Sequence, residues 1–356
     1  MLDLTHPLND GRTGRSLLVR SLRGERTQPL PVWFMRQAGR SLPEYREIRE
    51  GTTMLESCLN PDLVVEITLQ PVRRHKVDAA IFFSDIVIPL KLAGVEVEIE
   101  PGIGPVVANP VRSPEQLSRL GLIPSSALSP IVESVSRLAA ELGGTPLIGF
   151  GGAPFTLASY LIEGGPSKDL PYSRELMRTQ PEVWKGILSW CADVTAQFIR
   201  AQIEAGASAL QVFDSWAGKL SREEYLTFAK PYSERLFGQL ADLVDAEGQA
   251  VPRIHFGVGT REILREMYEC GATAIGVDSA TGLDEAGVAL PGVPLQGNIN
   301  TVLLGDWDAL TKNLDDVLQR GRVAPGHVVN LGHGVPKETD PEVLTKLVGR
   351  IHDLTK

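Results

Sequence analysis

The chain has 356 residues and a formal net charge of −9, and 43% of its residues are hydrophobic while 22% are charged. This is the composition of a globular protein with a large buried core, and it excludes an intrinsically disordered chain. The acidic balance also argues against a nucleic-acid-binding protein, because phosphate contacts require a basic face.

Short apolar segments alternate along the chain with longer amphipathic ones. Eight of the short segments are nearly continuous apolar runs, which is typical of parallel strands covered on both faces. The predicted strands span residues 31–35, 78–84, 146–151, 208–214, 253–256, 272–278, 293–298 and 327–331.

Helix start signals lie between these strands. Asn60 precedes a proline and predicts the N-cap of a helix over 63–75, and Ser221 opens a Ser-Arg-Glu-Glu capping box before a helix over 225–243. Asp340 also precedes a proline and predicts the start of the last helix, with Val343, Leu344, Leu347 and Ile351 on its apolar face. Helical patterns also cover residues 112–142, 172–205, 259–270, 283–290 and 305–321.

The regular alternation of strands and helices predicts an α/β protein, specifically a (β/α)8 TIM barrel forming a single domain over residues 1–356. A doubly wound open sheet is the alternative, because nothing in the sequence demonstrates closure of the sheet. Residues 95–107 alternate polar and apolar side chains around a Gly-containing turn. They predict a small β-hairpin inserted in the second βα loop.

The cysteines and the N-terminus bear on the cellular compartment. Three single cysteines, Cys58, Cys191 and Cys270, fit a reducing environment and small buried side chains. The N-terminal residues do not resemble a signal peptide, and no apolar run approaches the roughly 18 residues of a membrane helix. We therefore expect a cytoplasmic protein that binds neither nucleic acid nor membrane.

Polar residues follow the predicted strands, at the rim where the active sites of such barrels are built. These rim residues are Arg36, Gln37, Gly39, Arg40, Asp85, Tyr160, Phe213, Asp214, Ser215, His255, Asp278, Asn298 and His333.

The arginines of this rim are the clearest candidates for anion binding. Four arginines lie within residues 36–49 of a net-acidic chain. Arginine binds carboxylate and phosphate groups through two parallel hydrogen bonds and stays charged at neutral pH. Arg46 has Glu44 and Glu47 nearby as expected partners, whereas Arg36 and Arg40 have none.

Asp85 follows an apolar strand, where a carboxylate could either cap a turn or stabilise a developing cation. Neighbouring arginines are expected to keep it ionised. Tyr160 is either a core aromatic or a donor into the pocket, and His333, which lies between two glycines, is a candidate for ligand binding or proton transfer. No cysteine or second histidine stands at ligand spacing from His255 or His333, so the sequence predicts no metal site.

The segment Pro-Val-Trp-Phe-Met-Arg-Gln-Ala-Gly-Arg-Ser-Leu-Pro-Glu-Tyr-Arg over residues 31–46 resembles the N-terminal signature of the uroporphyrinogen decarboxylase family. Further blocks that resemble this family follow in order, at residues 83–86, 149–157, 160–165, 213–216, 295–298 and 330–334. Together they span nearly the whole chain.

The resemblance implies a cytoplasmic, homodimeric barrel enzyme of haem and porphyrin biosynthesis that uses no metal or organic cofactor. Such a carboxy-lyase converts uroporphyrinogen III to coproporphyrinogen III by removing CO2 from four acetate side chains. Asp85 matches the family's transition-state stabiliser, and Tyr160 and His333 are the other catalytic candidates. The family's substrate-binding positions fall on Arg36, Gln37, Ala38, Gly39, Arg40, Asp85, Tyr160, Ser215 and His333, and Arg49 and Phe213 match pocket positions less firmly.

The chain departs from the family pattern at Ser41 and at Ser279 and Ala280, which bears on packing at the rim beside the sixth strand. Two alternatives stay open: a zinc-dependent, corrinoid-linked methyltransferase of the same barrel type, and a tetrapyrrole carrier without catalysis. The identity of the proton donor is also open among Tyr160, His333 and an arginine.

Overall fold

The computed structural model describes residues 1–356. Its main sheet is parallel and has seven strands in the spatial order β1-β4-β5-β6-β7-β8-β9, and β2 and β3 form a separate antiparallel pair. The strands are β1 (Ala80–Ile81), β2 (Val97–Glu100), β3 (Gly104–Val107), β4 (Leu147–Gly152), β5 (Ala209–Phe213), β6 (Arg253–Phe256), β7 (Ala274–Gly276), β8 (Leu295–Gln296) and β9 (His327–Val328).

Helices connect and cover these strands. They are α1 (Leu17–Leu22), α2 (Pro43–Ile48), α3 (Met54–Cys58), α4 (Pro61–His75), α5 (Ile88–Leu92), α6 (Pro114–Leu117), α7 (Ser129–Glu141), α8 (Pro154–Glu163), α9 (Pro171–Thr179), α10 (Pro181–Glu204), α11 (Arg222–Phe228), α12 (Lys230–Gly238), α13 (Leu264–Glu269), α14 (Leu283–Ala289), α15 (Trp307–Arg320) and α16 (Pro341–Thr355). Five 3-10 turns lie at Ser125–Leu128, Ala217–Lys219, Arg261–Ile263, Thr301–Gly305 and Gly321–Val323. None of the helices is both long enough and apolar enough to span a membrane.

The parallel sheet is curled, so that a short segment around Val32 lies beside both of its edges. Val32 forms a parallel bridge with Val329, directly after β9. Its carbonyl accepts a hydrogen bond from the Asp78 amide at 2.8 Å, shortly before β1. The first predicted strand, over 31–35, is therefore a single bridged residue. The chain has an α/β fold built on a curled parallel sheet.

The predicted helix caps are confirmed at the three positions that the sequence indicated. The Asn60 side chain accepts from the amides of residues 62 and 63, Ser221 forms a capping box with Glu224, and Asp340 accepts from the amide of residue 342. The prediction of one helix over 225–243 was wrong: α11 ends at Phe228 and α12 begins at Lys230. Pro231 explains the break, because proline lacks the amide hydrogen that a continuous helix would use.

Candidate active site

The loop over residues 34–42 carries the first group of candidate residues. Arg36 adopts a φ of 60°, a left-handed conformation that costs a non-glycine residue on the order of 1 kcal/mol. The Gln37 side chain fixes this turn, since its Oε1 accepts from the Phe34 amide at 2.9 Å and its Nε2 donates to the Ala79 carbonyl at 3.1 Å. The fully buried Gln37 side chain therefore fixes the conformation of the loop from the protein interior.

The two arginines of this loop are available to a ligand. Arg36 and Arg40 are exposed, with Ala38 and Gly39 partly exposed between them. Neither guanidinium has a carboxylate oxygen within 4.0 Å of its nitrogens. Gly334 lets Arg36 pass closely, because a Cβ there would lie 2.5 Å from the Arg36 Cδ. Two unpaired cations therefore flank the loop tip.

The other two arginines of the segment serve the protein itself. Arg46 donates from Nη1 to the carbonyls of Arg40 at 2.6 Å and Ser41 at 3.3 Å, which fixes the end of the loop. The expected pairing of Arg46 with Glu44 and Glu47 was wrong: Arg46 forms no ion pair, and Glu44 pairs with Arg74 at 2.8 Å.

Arg49 also makes local contacts. Its Nη1 donates to the Tyr45 hydroxyl at 2.9 Å and its Nη2 to the Thr52 carbonyl at 3.0 Å. Its guanidinium carbon lies 5.6 Å from the centre of the Tyr45 ring. These contacts hold Arg49 beside α2 and α3, so its free hydrogen-bonding capacity is smaller than that of Arg36.

Asp85 follows β1 and is partly buried. Its Oδ1 accepts a hydrogen bond from the Val87 amide at 3.0 Å. Burial raises the pKa of the Asp85 carboxyl, while the Val87 hydrogen bond and the positive charge of Arg36 lower it. Arg36 does favour the ionised form as the sequence indicated, but burial is the larger effect.

Tyr160 on α8 packs against Trp216, with ring centres 4.3 Å apart and planes tilted by 41°. Burial raises the pKa of the Tyr160 phenol, the negative charge of Asp85 raises it further, and Arg36 lowers it. The phenol therefore stays protonated at neutral pH and can donate a hydrogen bond. Because Asp85 and Arg36 both act on this pKa, the three side chains share one electrostatic environment.

The end of β5 contributes an aromatic surface and a hydroxyl. The Phe213 ring meets Phe150 edge-on at 5.5 Å and Phe256 at 6.0 Å. Ser215 is partly buried directly beyond it. Trp216 was not among the rim residues picked out from the sequence, although it follows Ser215 in the block over 213–216.

His333 is exposed on the loop after β9. The glycines on either side of His333 each leave room for a different neighbour. A Cβ at Gly332 would lie 2.3 Å from the Ser279 amide nitrogen, whereas Gly334 accommodates Arg36 as described above. The loops after β7 and β9 therefore touch at the rim, where the family departure at Ser279 also lies.

Two polar rim residues predicted from the sequence hold loops together. Asp278 is buried, and its Oδ2 accepts from the Gly259 amide at 2.6 Å while its Oδ1 accepts from the Thr281 hydroxyl at 3.2 Å. Asn298 donates from Nδ2 to the carbonyls of Asp278 at 2.7 Å and Thr281 at 2.6 Å. Both Asp278 carboxylate oxygens and the Asn298 amide nitrogen are therefore engaged by neighbouring loops.

The arrangement suits a substrate that carries several carboxylates. Unpaired guanidinium groups attract anions, and a partly desolvated carboxylate can accept N–H groups and stabilise a cation. No group of three or more His, Cys, Asp and Glu side chains comes together as metal ligands. The three cysteines are buried and unpaired with one another.

Comparison with known sequences identifies relatives over the full length of the chain. The family model described as uroporphyrinogen decarboxylase (URO-D) matches residues 13–354. The uroporphyrinogen decarboxylase of Leifsonia xyli is 56% identical over 99% of this chain and 98% of its own length. That of Arthrobacter sp. is 54% identical over 97% of this chain and 99% of its own.

Comparison with solved structures agrees on the architecture. A methyltransferase from Methanosarcina mazei superimposes with a TM-score of 0.75 over 96% of this chain and 99% of that one, at 17% sequence identity. Identity this low indicates a common fold and nothing about the reaction. On the strength of the family model and the full-length relatives, the chain belongs to the uroporphyrinogen decarboxylase family.

Proposed function

We propose that this chain is a carboxy-lyase that converts uroporphyrinogen III to coproporphyrinogen III. The observation that carries the proposal is the full-length identity of 50–56% to curated uroporphyrinogen decarboxylases. The unpaired Arg36 and Arg40 and the Asp85 carboxyl agree with it, because the substrate has eight carboxylates and passes through a cationic state.

The chemistry requires no electron sink beyond the substrate. A pyrrole that is protonated at a ring carbon becomes a cation, which accepts the electron pair released when the acetate C–C bond breaks and CO2 leaves. A proton then adds to the remaining methylene carbon to form the methyl group, and the ring carbon loses its proton. Each acetate thus takes up one proton and releases one CO2, so no redox or metal cofactor is implied.

The family positions suggest a role for each side chain. Asp85 would accept hydrogen bonds from the pyrrole N–H groups and stabilise the cation, while Arg36 and Arg40 would bind acetate or propionate groups. Tyr160, Ser215 and His333 would contact the substrate around them. The Tyr160 phenol and the His333 imidazole are the side chains able to carry the proton, since an arginine is a poor acid at neutral pH.

The proposed Gln37, Ala38 and Gly39 contacts would come from the loop backbone, because the Gln37 side chain is committed to Phe34 and Ala79. Phe213 would provide an apolar wall, and Arg49 would support the pocket from α2.

The proposal includes a closed (β/α)8 barrel that forms one domain over residues 1–356, with the β2–β3 pair as an insertion in its second βα loop. Support comes from the segment around Val32, which bonds to Val329 through Pro31 and Trp33 and to Asp78 through Val32, so it joins both edges of the curled sheet. The family resemblance adds a cytoplasmic location and a homodimer, which subcellular fractionation and analytical ultracentrifugation would test.

The two alternatives have less support. The methyltransferase is favoured only by a fold shared at 17% identity. A carrier would use the same arginines, and it differs from the enzyme in releasing no CO2.

The test is anaerobic incubation of the purified chain with uroporphyrinogen III, followed by oxidation and chromatography of the porphyrins. We expect species with seven, six, five and finally four carboxyl groups to appear in turn. Bound but unchanged eight-carboxyl substrate would replace the enzyme with the carrier. Absence of binding by a folded protein would point to the methyltransferase.

A further inference from the structure

Asp214 lies between Phe213 and Ser215, yet its side chain is fully buried behind them. Its Oδ1 accepts a hydrogen bond from the Thr156 hydroxyl at 2.8 Å, and its Oδ2 has no hydrogen-bond partner. A buried ionised carboxylate with a single neutral donor is strongly disfavoured. The charge of Asp214 therefore requires compensation nearby.

His255 on β6 supplies the only opposing group. It is fully buried, and its Nδ1 lies 3.0 Å from the Met267 carbonyl. A carbonyl can only accept, so Nδ1 carries the hydrogen, and Nε2 of a neutral ring would be a bare lone pair. That Nε2 has no hydrogen bond and lies 3.6 Å from the Asp214 Oδ2. At 3.6 Å these two atoms are too far apart for a hydrogen bond, but they lie within ion-pair distance of each other.

Two further titratable groups lie near Asp214. Burial raises the pKa of the Tyr225 phenol and of the Cys270 thiol, that of Cys270 to about 12, and the negative charge of Asp214 raises both further. Both groups therefore stay neutral at working pH and supply no charge to the Asp214–His255 contact.

Thr156 connects this pair to the candidate active site. Its hydroxyl donates to Asp214 and accepts from the Trp216 amide at 3.3 Å, so it ties the first turn of α8 to the loop after β5. Tyr160 lies four residues further along α8, on the same face of the helix. Its ring packs on Trp216, the residue whose amide Thr156 holds.

We propose that Asp214 and Thr156 are positioning residues which fix Tyr160 and Ser215 in the active site. This inference rests on the proposed decarboxylation for its kinetic part. Neither residue contacts the site directly. Both act by fixing the distance between α8 and the loop after β5.

The kinetic test uses a matched pair at one position. Thr156→Val removes the hydroxyl at nearly constant shape and is expected to lower kcat by about ten- to a hundred-fold, with KM changed by no more than about two-fold. Thr156→Ser restores the hydroxyl and is expected to restore kcat, and near-ultraviolet circular dichroism confirms folding of both. Wild-type kcat in Thr156→Val, or an equal loss in Thr156→Ser, would overturn the positioning role.

The second test needs no turnover, so it stands even if the wild type proves to be no decarboxylase. The backbone amide of Trp216 is expected to exchange with solvent more slowly in the wild type and in Thr156→Ser than in Thr156→Val, because only the first two keep the hydroxyl that accepts its hydrogen bond. Hydrogen exchange followed by NMR of the 15N-labelled protein measures this difference. Equal protection of the Trp216 amide in Thr156→Val and in the wild type would overturn the positioning role.

Discussion

At the scale of single residues, the Asp85 carboxyl is held where burial raises its pKa. A folded-state pKa above that of the unfolded chain means that the folded protein binds the proton more tightly, so ionisation at neutral pH lowers stability. We expect Asp85→Asn to raise Tm at pH 7, as substitutions of strained functional groups often do. Asp315→Asn, which removes an exposed carboxylate without an ion pair, is the control and should leave Tm unchanged.

Thermal unfolding by circular dichroism measures this difference. A Tm for Asp85→Asn several degrees below that of the wild type would show that the ionised carboxylate contributes net stability, and it would contradict the assigned environment.

Arg36 and Arg40 differ in their influence on Asp85, since only Arg36 lowers its pKa. Removing the charge in Arg36→Gln is therefore expected to raise the Asp85 pKa further and to shift the acidic limb of the kcat/KM profile to higher pH. Arg40→Gln should weaken substrate binding by about 1.5–3 kcal/mol, the range for a hydrogen bond to a charged group, without moving that limb. Equal shifts in the two variants, or none in Arg36→Gln, would contradict this division of roles.

The sequence singled out candidate site residues, but it did not show their hydrogen-bond partners. Arg36, Arg40 and Asp85 stood out because they are charged, locally unpaired and placed after strands. The hydrogen bonds between Gln37 and Ala79 and between Asp278 and Gly259 join segments that are about twenty to forty residues apart in the chain. No local pattern records such contacts. Thr156 and Trp216 were missed for the same reason.

At the scale of elements, α16 is attached to the sheet through His352. Its Nε2 lies 2.8 Å from the Asp78 Oδ2, which also accepts from the Val32 amide at 2.8 Å. The hydrogen bond to Asp78 raises the pKa of His352, and burial opposes it. The resulting stability is fully present below the unfolded-state pKa of about 6.5 and is lost as pH rises through the higher folded-state value.

His352→Gln should therefore destabilise the protein by about 1 kcal/mol near pH 6 and by much less near pH 9. Urea unfolding of the wild type and the variant at the two pH values measures the difference. A larger loss at pH 9 than at pH 6 would contradict the ion pair between α16 and the sheet.

Local signals predicted helix starts more reliably than helix continuity or strand pairing. Asn60, Ser221 and Asp340 cap helices because their short side chains reach the first free amides. The proline at position 231 indicates a helix break, but the apolar periodicity on either side of it favoured one continuous helix. The predicted strand around Val32 is reduced to a single bridge. The length of a strand depends on pairing with its neighbours, here β9 and β1, and not only on its own β-branched residues.

At the scale of the whole molecule, two buried histidines limit stability in acid. Burial lowers the pKa of His75 and of His327 to about 4 in each case. His327 Nε2 bonds to the Gly297 carbonyl at 2.7 Å, and the other ring nitrogen is buried without a partner, as is Nε2 of His75. Protonating either ring places an uncompensated charge in the interior.

We expect the free energy of unfolding to fall as pH decreases from about 6.5, where unfolded histidine begins to bind protons, to about 4, the folded-state pKa of both rings. His75→Gln and His327→Gln should each flatten this fall, although both lower stability at pH 7. Urea midpoints at pH 7, 5.5 and 4.5 provide the test. A fall of the same steepness in both variants would assign the acid sensitivity to other groups.

The site residues are brought together because parallel strands of one curled sheet end at the same edge. Arg36, Asp85, Tyr160 and Ser215 come from four separate segments of the chain, yet Asp85 and Arg36 both alter the pKa of Tyr160. The alternation of apolar runs predicted a parallel sheet, whose strands end at one edge.

We infer that Asp85, whose pKa the unpaired Arg36 lowers, supports decarboxylation of a polycarboxylate tetrapyrrole. The most direct test is a single-turnover comparison of wild type and Asp85→Asn with uroporphyrinogen III under anaerobic conditions. Binding is followed separately by equilibrium dialysis. We predict that the wild type forms the seven-carboxyl product and that the folded variant binds substrate but reacts about a hundred- to a thousand-fold more slowly. Product formation by Asp85→Asn at the wild-type rate would contradict the account.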